Sequence, residues 1–464
     1  MNKQWKKIGY GMVSVVLWVM FWQIMSRKID QTMFLPSPWE VWNALRKLMA
    51  SPEFYQSILN SLGNIVLGAG GACILGALLA AVSSRVLFLR LFFGLPVRMM
   101  QAVPVASFTI LALFWLDAGK LSVLVSFFMV FPLMYSNVRK GIEAADQKLL
   151  EMAKVYQVRW YHTLRFIYLP ELIPYFLSAC SVAAGVAWKS GIAAEVIGVV
   201  RNTIGNQLYQ AKIYLEMPEL FAWTAVIICL SLLFELGILG MVRLMEYRLL
   251  AAEKVTEGRW DRKLVPQAEP VVAESPGFWM DSVTKHFDDV IVCVDFSMKA
   301  SGGEAVALMG SSGKGKTTLL RMLLKLETPD CGRIEADEQA MAVVFQEDRL
   351  CEKVSVYHNL AMVCRTPEQL GQIENLLGCL GLAGCGEKKA GVLSGGMKRR
   401  VAIARALLAD RRILLLDEPL KGLDDRTKTA VMEFMKEKMQ GRTVLYVTHE
   451  ETEAEYFGCR IVRV

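Results

Sequence analysis

The 464-residue sequence lacks paired cysteines: it has ten cysteines, and none of them form a Cys-x-x-Cys pair. Seven of the ten lie after residue 290, scattered without regular spacing. Such a distribution argues against a zinc motif and against a disulfide framework. It favours a reduced, cytosolic setting for the second half of the chain.

Charge is also scarce, at 21% of residues against 54% hydrophobic residues. That balance is too apolar for a soluble enzyme and too charged for a purely membrane protein, and the length suggests two or three domains. Residues 1–250 hold 22 Lys and Arg against 13 Asp and Glu, whereas the remainder holds 30 against 32. The positive charge thus belongs to the apolar half, as in cytoplasmic loops of membrane proteins. The second half lacks a basic patch, so we expect no nucleic-acid partner.

Long apolar runs in the first half predict six membrane-spanning helices within the lipid bilayer. The first run follows a basic N-terminus and could be a signal peptide, but it is long and lacks a small-x-small cleavage site. The predicted spans are roughly 8–25, 60–83, 98–116, 119–137, 172–198 and 219–244. Basic residues concentrate at 85–98 and in the loop 138–171, which places this loop and both ends of the half in the cytoplasm. We therefore predict a multi-pass protein of the cytoplasmic membrane.

Charged side chains inside the predicted spans are the exception to this apolar pattern. Lys189 and Glu195 fall in the fifth span, and Glu235 falls in the sixth. Charges at that depth are costly and usually face a polar path or one another. Lys189 and Glu195 are therefore candidate residues of a transport pathway, and a buried pair that only fixes packing is an equally good interpretation.

A glycine-rich stretch in the second half fits the phosphate-binding pattern G-x-x-x-x-G-K-[ST]. An apolar strand-like run precedes it and a helix-like run follows, which is the context that the pattern needs. Its residues are Gly310, Ser311, Ser312, Gly313, Lys314, Gly315, Lys316, Thr317 and Thr318. Backbone N–H groups, the helix N-terminus and the Lys316 ammonium would hold a polyphosphate, and the Thr317 hydroxyl would face Mg²⁺. The alternative is a glycine-rich turn without a ligand.

Further motifs around this loop resemble, in order, the ATP-binding domain of ABC transporters. They are Phe287, Gln346, the run Ser394-Gly395-Gly396-Met397, the pair Asp417 and Glu418, Asp424, and His449. The resemblance implies that Phe287 stacks on adenine and that Gln346 reaches Mg²⁺ and faces the permease. It implies that Asp417 holds Mg²⁺, while Glu418, Lys316, Gln346 and His449 serve ATP hydrolysis.

The run from Ser394 to Gly396 would bind nucleotide held by a second copy, and Asp424 belongs to a loop that crosses to that copy. Met397, where the family commonly has glutamine, resembles the branch that imports nitrate, sulfonates, taurine and a thiamine precursor.

The cytoplasmic loop 138–171 resembles the EAA loop of ABC import permeases, with the pattern E-A-A-x3-G-x9-I-x-L-P. The matching positions include Glu151, Ala153, Leu169 and Pro170. Met152 replaces an alanine, and Gln157 replaces the glycine on which the family turns between two short helices. The resemblance implies that this loop docks into a groove of the ATPase and couples it to the membrane helices. Without the resemblance, the loop would be interpreted as a basic amphipathic surface helix.

These features predict an all-α permease domain of six transmembrane helices followed by an α/β P-loop NTPase domain of ABC type. The expected boundaries are 1–246 for the permease domain, 247–277 for a proline-rich linker, and 278–464 for the ATPase domain. The implied function is ATP-driven import by a homodimer fed by an external solute-binding protein, with ATP and Mg²⁺ as cofactors. The alternatives are an exporter half-transporter and a membrane-tethered regulatory ATPase.

Overall fold

The computed structural model describes residues 2–29, 34–251, 277–287, 290–311 and 313–464. They form two compact units, Met1–Ala144 with Glu171–Leu250, and Ala145–Pro170 with Ala251–Val464. The central part of the cytoplasmic loop, which the sequence boundaries place in the permease domain, thus belongs to the second unit. Most of the predicted linker 247–277 lies outside the described residues, and its first five residues continue a helix that ends at Ala251.

The first unit is built entirely from helices in the part of the chain that the structure describes. They are α1 (Asn2–Ile29), α2 (Pro38–Met49), α3 (Pro52–Ser83), α4 (Leu87–Ala102), α5 (Val105–Ala112), α6 (Ala118–Glu143), α9 (Leu169–Gly198), α10 (Ile204–Ile213) and α11 (Met217–Ala251). The start of α2 follows local chemistry: the Ser37 and Glu40 side chains form a reciprocal capping box. Trp188 and Trp223 are the largest fully buried side chains of this unit.

Small residues allow α3, α6 and α9 to pack closely. A Cβ atom on Gly68 would lie 2.2 Å from the carbonyl oxygen of Val123 on α6. From α6, the Ser122 and Ser126 hydroxyls each donate a 3.3 Å hydrogen bond to a backbone carbonyl of α9. In a bilayer the lipid is as apolar as the helix surface, so the hydrophobic effect does not drive helices together. Helices there associate through close backbone packing and interhelical hydrogen bonds.

Four helical segments among the described residues are long and apolar enough to cross a membrane: Pro52–Ser83, Ala118–Glu143, Trp160–Gly198 and Met217–Leu244. Helices α4 and α5 could form one further span as a pair, bent by 103°. The prediction of a single helix at 98–116 is wrong, because the helix breaks at Val103, whose ψ is 125°, where the following Pro104 disfavours the helical conformation. The predicted first span, 8–25, lies within α1 and stays a prediction.

Gly68 and Gly70 offer a matched test of this packing, since nothing lies within 4 Å of a Cβ atom on Gly70. Both substitutions to alanine raise the helix propensity of α3 equally. We expect Gly68→Ala to destabilise the purified protein by about 1–3 kcal/mol through overpacking, and Gly70→Ala to leave the melting temperature unchanged or higher. Equal melting temperatures for the two variants would contradict the close α3–α6 approach.

The second unit begins with the loop elements α7 (Gln147–Val155), α8 (Trp160–Thr163) and a π-helical turn, Leu164–Tyr168. Its strands are β1 (Phe278–Phe287), β2 (Val290–Ala300), β3 (Ala305–Met309), β4 (Cys331–Glu335), β5 (Met341–Val344), β6 (Ile413–Asp417), β7 (Thr443–Val447) and β8 (Arg460–Arg463). Its remaining α-helices among the described residues are α12 (Lys316–Leu323), α13 (Val356–Ala361), α14 (Pro367–Gly371), α15 (Ile373–Cys379), α16 (Gly395–Leu408), α17 (Asp425–Met439) and α18 (Glu451–Tyr456).

The central sheet of this unit is parallel, in the order β5-β6-β7-β3-β8. A second, antiparallel sheet has the order β2-β1-β4. Because the strands of the central sheet run parallel, their carboxyl ends share one edge, where ligands of such sheets bind. The chain leaves β3 at Gly310, β5 at Phe345, β6 at Glu418 and β7 at Thr448. The fold therefore collects four of the predicted motifs at a single edge.

Candidate functional site

The phosphate loop connects β3 to α12 and has the backbone that its sequence predicts. Gly315 has φ of +79°, and a Cβ atom there would lie 2.5 Å from the Val292 side chain of β2, so only glycine fits. The buried Lys316 donates hydrogen bonds to the carbonyl oxygens of Gly310 (2.7 Å) and Ser311 (2.9 Å). Ser312 lies outside the described residues.

Thr317 and Asp417, predicted as metal ligands, lie side by side. The Thr317 hydroxyl donates a 3.0 Å hydrogen bond to Oδ2 of Asp417. Burial raises the pKa of the Asp417 carboxyl above its usual range, although the hydrogen bond from Thr317 opposes the shift. A hydroxyl oxygen next to a carboxylate oxygen is a donor set that suits Mg²⁺.

Glu418 and His449, the predicted hydrolytic pair, also meet. Oε1 of Glu418 lies 3.6 Å from Nδ1 of His449, and Oε2 accepts a 2.7 Å hydrogen bond from Nζ of Lys421. Burial alone would raise the pKa of the Glu418 carboxyl, but the hydrogen bond and charge of Lys421, with the neighbouring His449 and Lys316, outweigh it and lower the pKa. The backbone of Glu418 has φ of 45°, and its N–H donates to the carbonyl oxygen of Val447. Strain of this kind persists where surrounding structure fixes it, as in active sites.

Arg399, which sequence reasoning missed, joins the segments that carry Gln346 and Glu418. Its side chain is 4% exposed. It donates to the carbonyl oxygens of Phe345 (2.6 Å), Asp417 (2.7 Å) and Glu418 (2.6 Å), and also to those of Gln346 and Pro419. The only sequence signal is its place five residues after Ser394. Gln346 itself is exposed at the end of this arrangement.

The remaining predicted nucleotide contacts lie at element ends. The Ser394 hydroxyl accepts from the N–H of Met397 and caps α16, so Gly395 and Gly396 form its first turn. The Asp424 carboxylate caps α17 by accepting from the N–H of Thr427. Phe287 is exposed at the end of β1, with the Lys285 ammonium 5.1 Å from its ring.

Gln157, the departure from the family pattern, keeps the turn that glycine would make. Its φ is 53°. The N–H of Gln157 bonds the carbonyl of Lys154, and the N–H of Val158 bonds that of Ala153 at 2.8 Å. This is the Schellman arrangement that ends a helix with one left-handed residue. The Gln157 side chain accepts a 2.7 Å hydrogen bond from Arg365, so the turn gains a contact that glycine could not make.

Glu151, one turn before the end of α7, is held by two arginines of the ATPase half. Arg321 of α12 binds both carboxylate oxygens, at 2.8 and 2.9 Å, and Arg349 binds Oε2 at 2.7 Å. The Arg321 hydrogen bond is the largest effect on Glu151; it and Arg349 lower the pKa of the carboxyl against the opposing effect of burial. The end of the loop is attached as well, since Nζ of Lys353 donates to the carbonyl oxygen of Pro170 at 3.1 Å.

Comparison with known families agrees with this geometry in both halves. Residues 72–250 match the family model described as the binding-protein-dependent transport system inner membrane component. Residues 293–421 match the model described as ABC transporter. The chain is an ABC transporter chain with fused permease and ATP-binding domains. It is a multi-pass membrane protein whose ATPase domain is cytoplasmic.

Several curated relatives of this ABC chain are ATP-binding proteins of import systems. The Fe(3+) ions import protein FbpC of Agrobacterium fabrum is 38% identical over 39% of this chain and 56% of its own length. The spermidine/putrescine import protein PotA of Protochlamydia amoebophila is 37% identical over 40% of this chain and 54% of its own length. The sulfate/thiosulfate import protein CysA of Gloeobacter violaceus is 36% identical over 38% of this chain and 56% of its own length. The chain thus spans about half the length of these relatives.

A solved dimeric structure of the ATP-binding cassette MJ0796 with ADP and Pi is 27% identical and covers 40% of this chain and 94% of its own. Its TM-score of 0.37 is too low to add to the family matches.

In the permease half of the ABC chain, Lys189 and Glu195 occupy different environments. Lys189 is exposed, whereas Glu195 is 0% exposed. Oε2 of Glu195 accepts from the Ser61 hydroxyl at 2.7 Å and from the N–H of Gly205 at 3.2 Å. A carboxyl oxygen at the second residue of α10 satisfies a backbone N–H that has no partner within the first turn of that helix. These contacts are of the kind that the packing interpretation predicts, and a place for Glu195 in a transport pathway stays a prediction.

Pro170, the last residue of the import-loop pattern, lies at the second residue of α9. Trp160–Gly198 runs as continuous helical backbone, with Pro170 just after the π-helical turn Leu164–Tyr168. A π-turn is one of the adjustments by which a helix accommodates an interruption of its hydrogen-bond ladder. Pro170 is thus the second residue of α9, although the continuous helical segment that contains it begins ten residues earlier, at Trp160.

The contacts of Glu151 predict that the stability of the ATPase unit depends on pH. A carboxyl whose pKa is lowered in the folded protein contributes stability above its ordinary pKa of 4.5 and loses it as the pH falls below that value. We expect Glu151→Gln to destabilise the ATPase unit by about 1–3 kcal/mol at neutral pH. The difference from wild type should shrink as the pH is lowered from about 5 to about 3. Urea unfolding of the purified protein measures both.

The control is Glu347→Gln, which removes an exposed partner of Lys148 in the same unit. An exposed pair contributes under about 1 kcal/mol. If Glu347→Gln costs as much as Glu151→Gln, the two-arginine cluster has no special role.

Proposed function

We propose that this chain is an ATP-driven importer that hydrolyses ATP and couples the hydrolysis to uptake of a small solute. The carrying observation is that Glu151 of an import-type loop is bound by Arg321, which lies on the helix that begins at Lys316 of the phosphate loop. An exporter half-transporter would lack the loop pattern, and a tethered regulatory ATPase would not need several apolar helices.

The chemistry requires positioning and charge neutralisation rather than covalent catalysis. Lys316 and the N-terminus of α12 would bind the ATP phosphates. Thr317 and Asp417, with Gln346, would hold Mg²⁺, which supplies charge neutralisation at the phosphates. Glu418 would accept a hydrogen bond from the attacking water, and His449, 3.6 Å away, would lie on the same side of the reacting phosphate.

The role of Glu418 can be tested by Glu418→Gln, which keeps the shape of the side chain and removes its basicity. We expect ATP binding to persist while hydrolysis falls by about 10²-fold or more, the usual contribution of a positioned base. Nucleotide binding and phosphate release are measured on the full-length protein in lipid nanodiscs. The control is Glu433→Gln, an exposed position on α17. Normal turnover in the Glu418 variant would overturn its assignment.

We further propose that the working form is a homodimer. In the family, the segment Ser394 to Gly396 closes on nucleotide held by the other copy, and Asp424 crosses the same interface. One chain would then supply two half-sites, and a two-fold dimer would complete both. An external solute-binding protein would deliver the solute to the permease domains.

Mixed dimers test this arrangement directly. Lys316→Ala and Ser394→Arg should each abolish hydrolysis in the homodimer. A dimer with one copy of each variant would keep one site with an intact Lys316 and an intact partner Ser394. Purified through two different affinity tags, it should recover about half of wild-type activity if the two sites are equivalent.

The control for the mixed dimer pairs two differently tagged Lys316→Ala chains, which should stay inactive. If the mixed dimer is as inactive as this control, each chain completes its own site and the dimer proposal is wrong.

The solute we propose is small. Met397 suggests the nitrate, sulfonate, taurine and thiamine-precursor branch, while the relatives described above belong to import systems for Fe(3+), spermidine and putrescine, and sulfate and thiosulfate. A ligand screen of the solute-binding protein encoded nearby should include both sets. Stimulation of ATP hydrolysis by that protein would support import, and stimulation by apolar drugs without it would instead favour export.

A further inference from the structure

Tyr156, the residue before the left-handed turn, reaches into the ATPase sheet. Its side chain is 2% exposed. The hydroxyl donates a 2.7 Å hydrogen bond to the carbonyl oxygen of Val343 and accepts one from the N–H of the same residue at 3.3 Å. One phenol therefore satisfies both backbone groups of a single residue of β5.

Those two groups need a partner because β5 is the outer strand of its sheet. It pairs with β6 on one side only, in the order β5-β6-β7-β3-β8. All four residues of β5 are buried, so water cannot substitute at Val343. Buried backbone groups without partners are strongly disfavoured. The hydroxyl of Tyr156 thus supplies what a neighbouring strand would otherwise provide.

The ring of Tyr156 also contacts Arg405, a side chain that binds the backbone segment following Gln346. The Arg405 guanidinium lies 5.5 Å from the ring centroid. Arg405 donates to the carbonyl oxygens of Asp348 (3.0 Å) and Arg349 (2.7 Å). Gln346 therefore lies between two backbone segments that Tyr156 fixes, one through its hydroxyl and one through Arg405.

We propose that Tyr156 is a positioning residue for Gln346, through which the cytoplasmic loop sets the place of that glutamine in the ATP site. The import-loop pattern leaves this position open, so the assignment comes from the contacts alone. The inference deepens the proposed function and rests on it, because Gln346 acts only if the site binds Mg²⁺ and ATP. Burial raises the pKa of the Tyr156 phenol, so the hydroxyl keeps its proton and remains a donor at neutral pH.

The test is Tyr156→Phe, which removes one oxygen and keeps the ring against Arg405. Tyr161→Phe is the matched control on the same loop, since the Tyr161 hydroxyl is exposed and contacts Arg159 within the loop. Amide hydrogen exchange at residues 341–347 and ATP hydrolysis are measured on the full-length protein in lipid nanodiscs. Wild-type protein is measured first, because its Val343 amide must be protected although β5 is an outer strand.

We expect Tyr156→Phe to speed exchange of the Val343 amide by about tenfold or more, since its hydrogen-bond partner is lost. The kcat for ATP should fall by about threefold or more with KM within about twofold, because Gln346 moves while the phosphate loop does not. Tyr161→Phe should match wild type in both measurements.

Three results would overturn the inference: an unprotected Val343 amide in wild type, unchanged exchange in Tyr156→Phe, or faster exchange with unchanged kcat. A merely structural role for Tyr156 predicts the last of these. Failure of the proposed function is distinguishable, because wild-type protein would then not hydrolyse ATP while the exchange comparison would still report on the hydroxyl.

Discussion

The ion-pair cluster of Glu151 with Arg321 and Arg349 is the interaction on which the second unit depends. In the sequence, Glu151 lies in the loop between two helices of the permease half. Its carboxylate is nevertheless bound at 2.7–2.9 Å by side chains from the ATPase half. Charge-assisted bidentate bonds of this kind are stronger and more directional than neutral ones. Arg321 belongs to the helix that starts at Lys316, and Arg349 follows Gln346 by three residues. The cluster therefore connects the loop to both sides of the ATP site.

The parallel sheet explains why the ATP-site residues come together without local sequence contact. Each motif follows a strand end, and the strands share a direction, so Gly310, Gln346, Glu418 and His449 reach one edge of the sheet. Arg399 stabilises the arrangement from within, because its buried guanidinium is satisfied by carbonyl oxygens on two of these segments. The loop contributes Tyr156 to the outer strand of the same sheet. The ATP site and the loop are thus parts of one folded unit.

Much of this was predictable because the motifs carry their own chemistry. A phosphate loop and a strand ending in two carboxylates each have a local sequence signal, and the structure contains both, whereas the left-handed turn at Gln157 has no such signal because glycine is replaced there. Arg321, Arg349, Arg399 and Tyr156 were not predictable, since their partners lie far away in sequence and periodicity contains no information on them. The effects of two prolines were also not evident from the sequence. Pro104 breaks a predicted span, whereas Pro170 is accommodated just after a π-helical turn. The turn at Gln157 has the backbone hydrogen bonds of a Schellman motif, and its side chain also accepts a hydrogen bond from Arg365.

A double-mutant cycle between Glu151 and Arg321 tests most directly whether the loop is folded into the ATPase unit. Urea unfolding of the ATPase unit would be followed in full-length wild type, Glu151→Gln, Arg321→Gln and the double variant. Partners in direct contact should show a coupling free energy of about 1–2 kcal/mol, whereas independent sites add within about 0.5 kcal/mol. The account predicts the first result. Additive effects would contradict it, because the loop would then not share the fold of the ATPase.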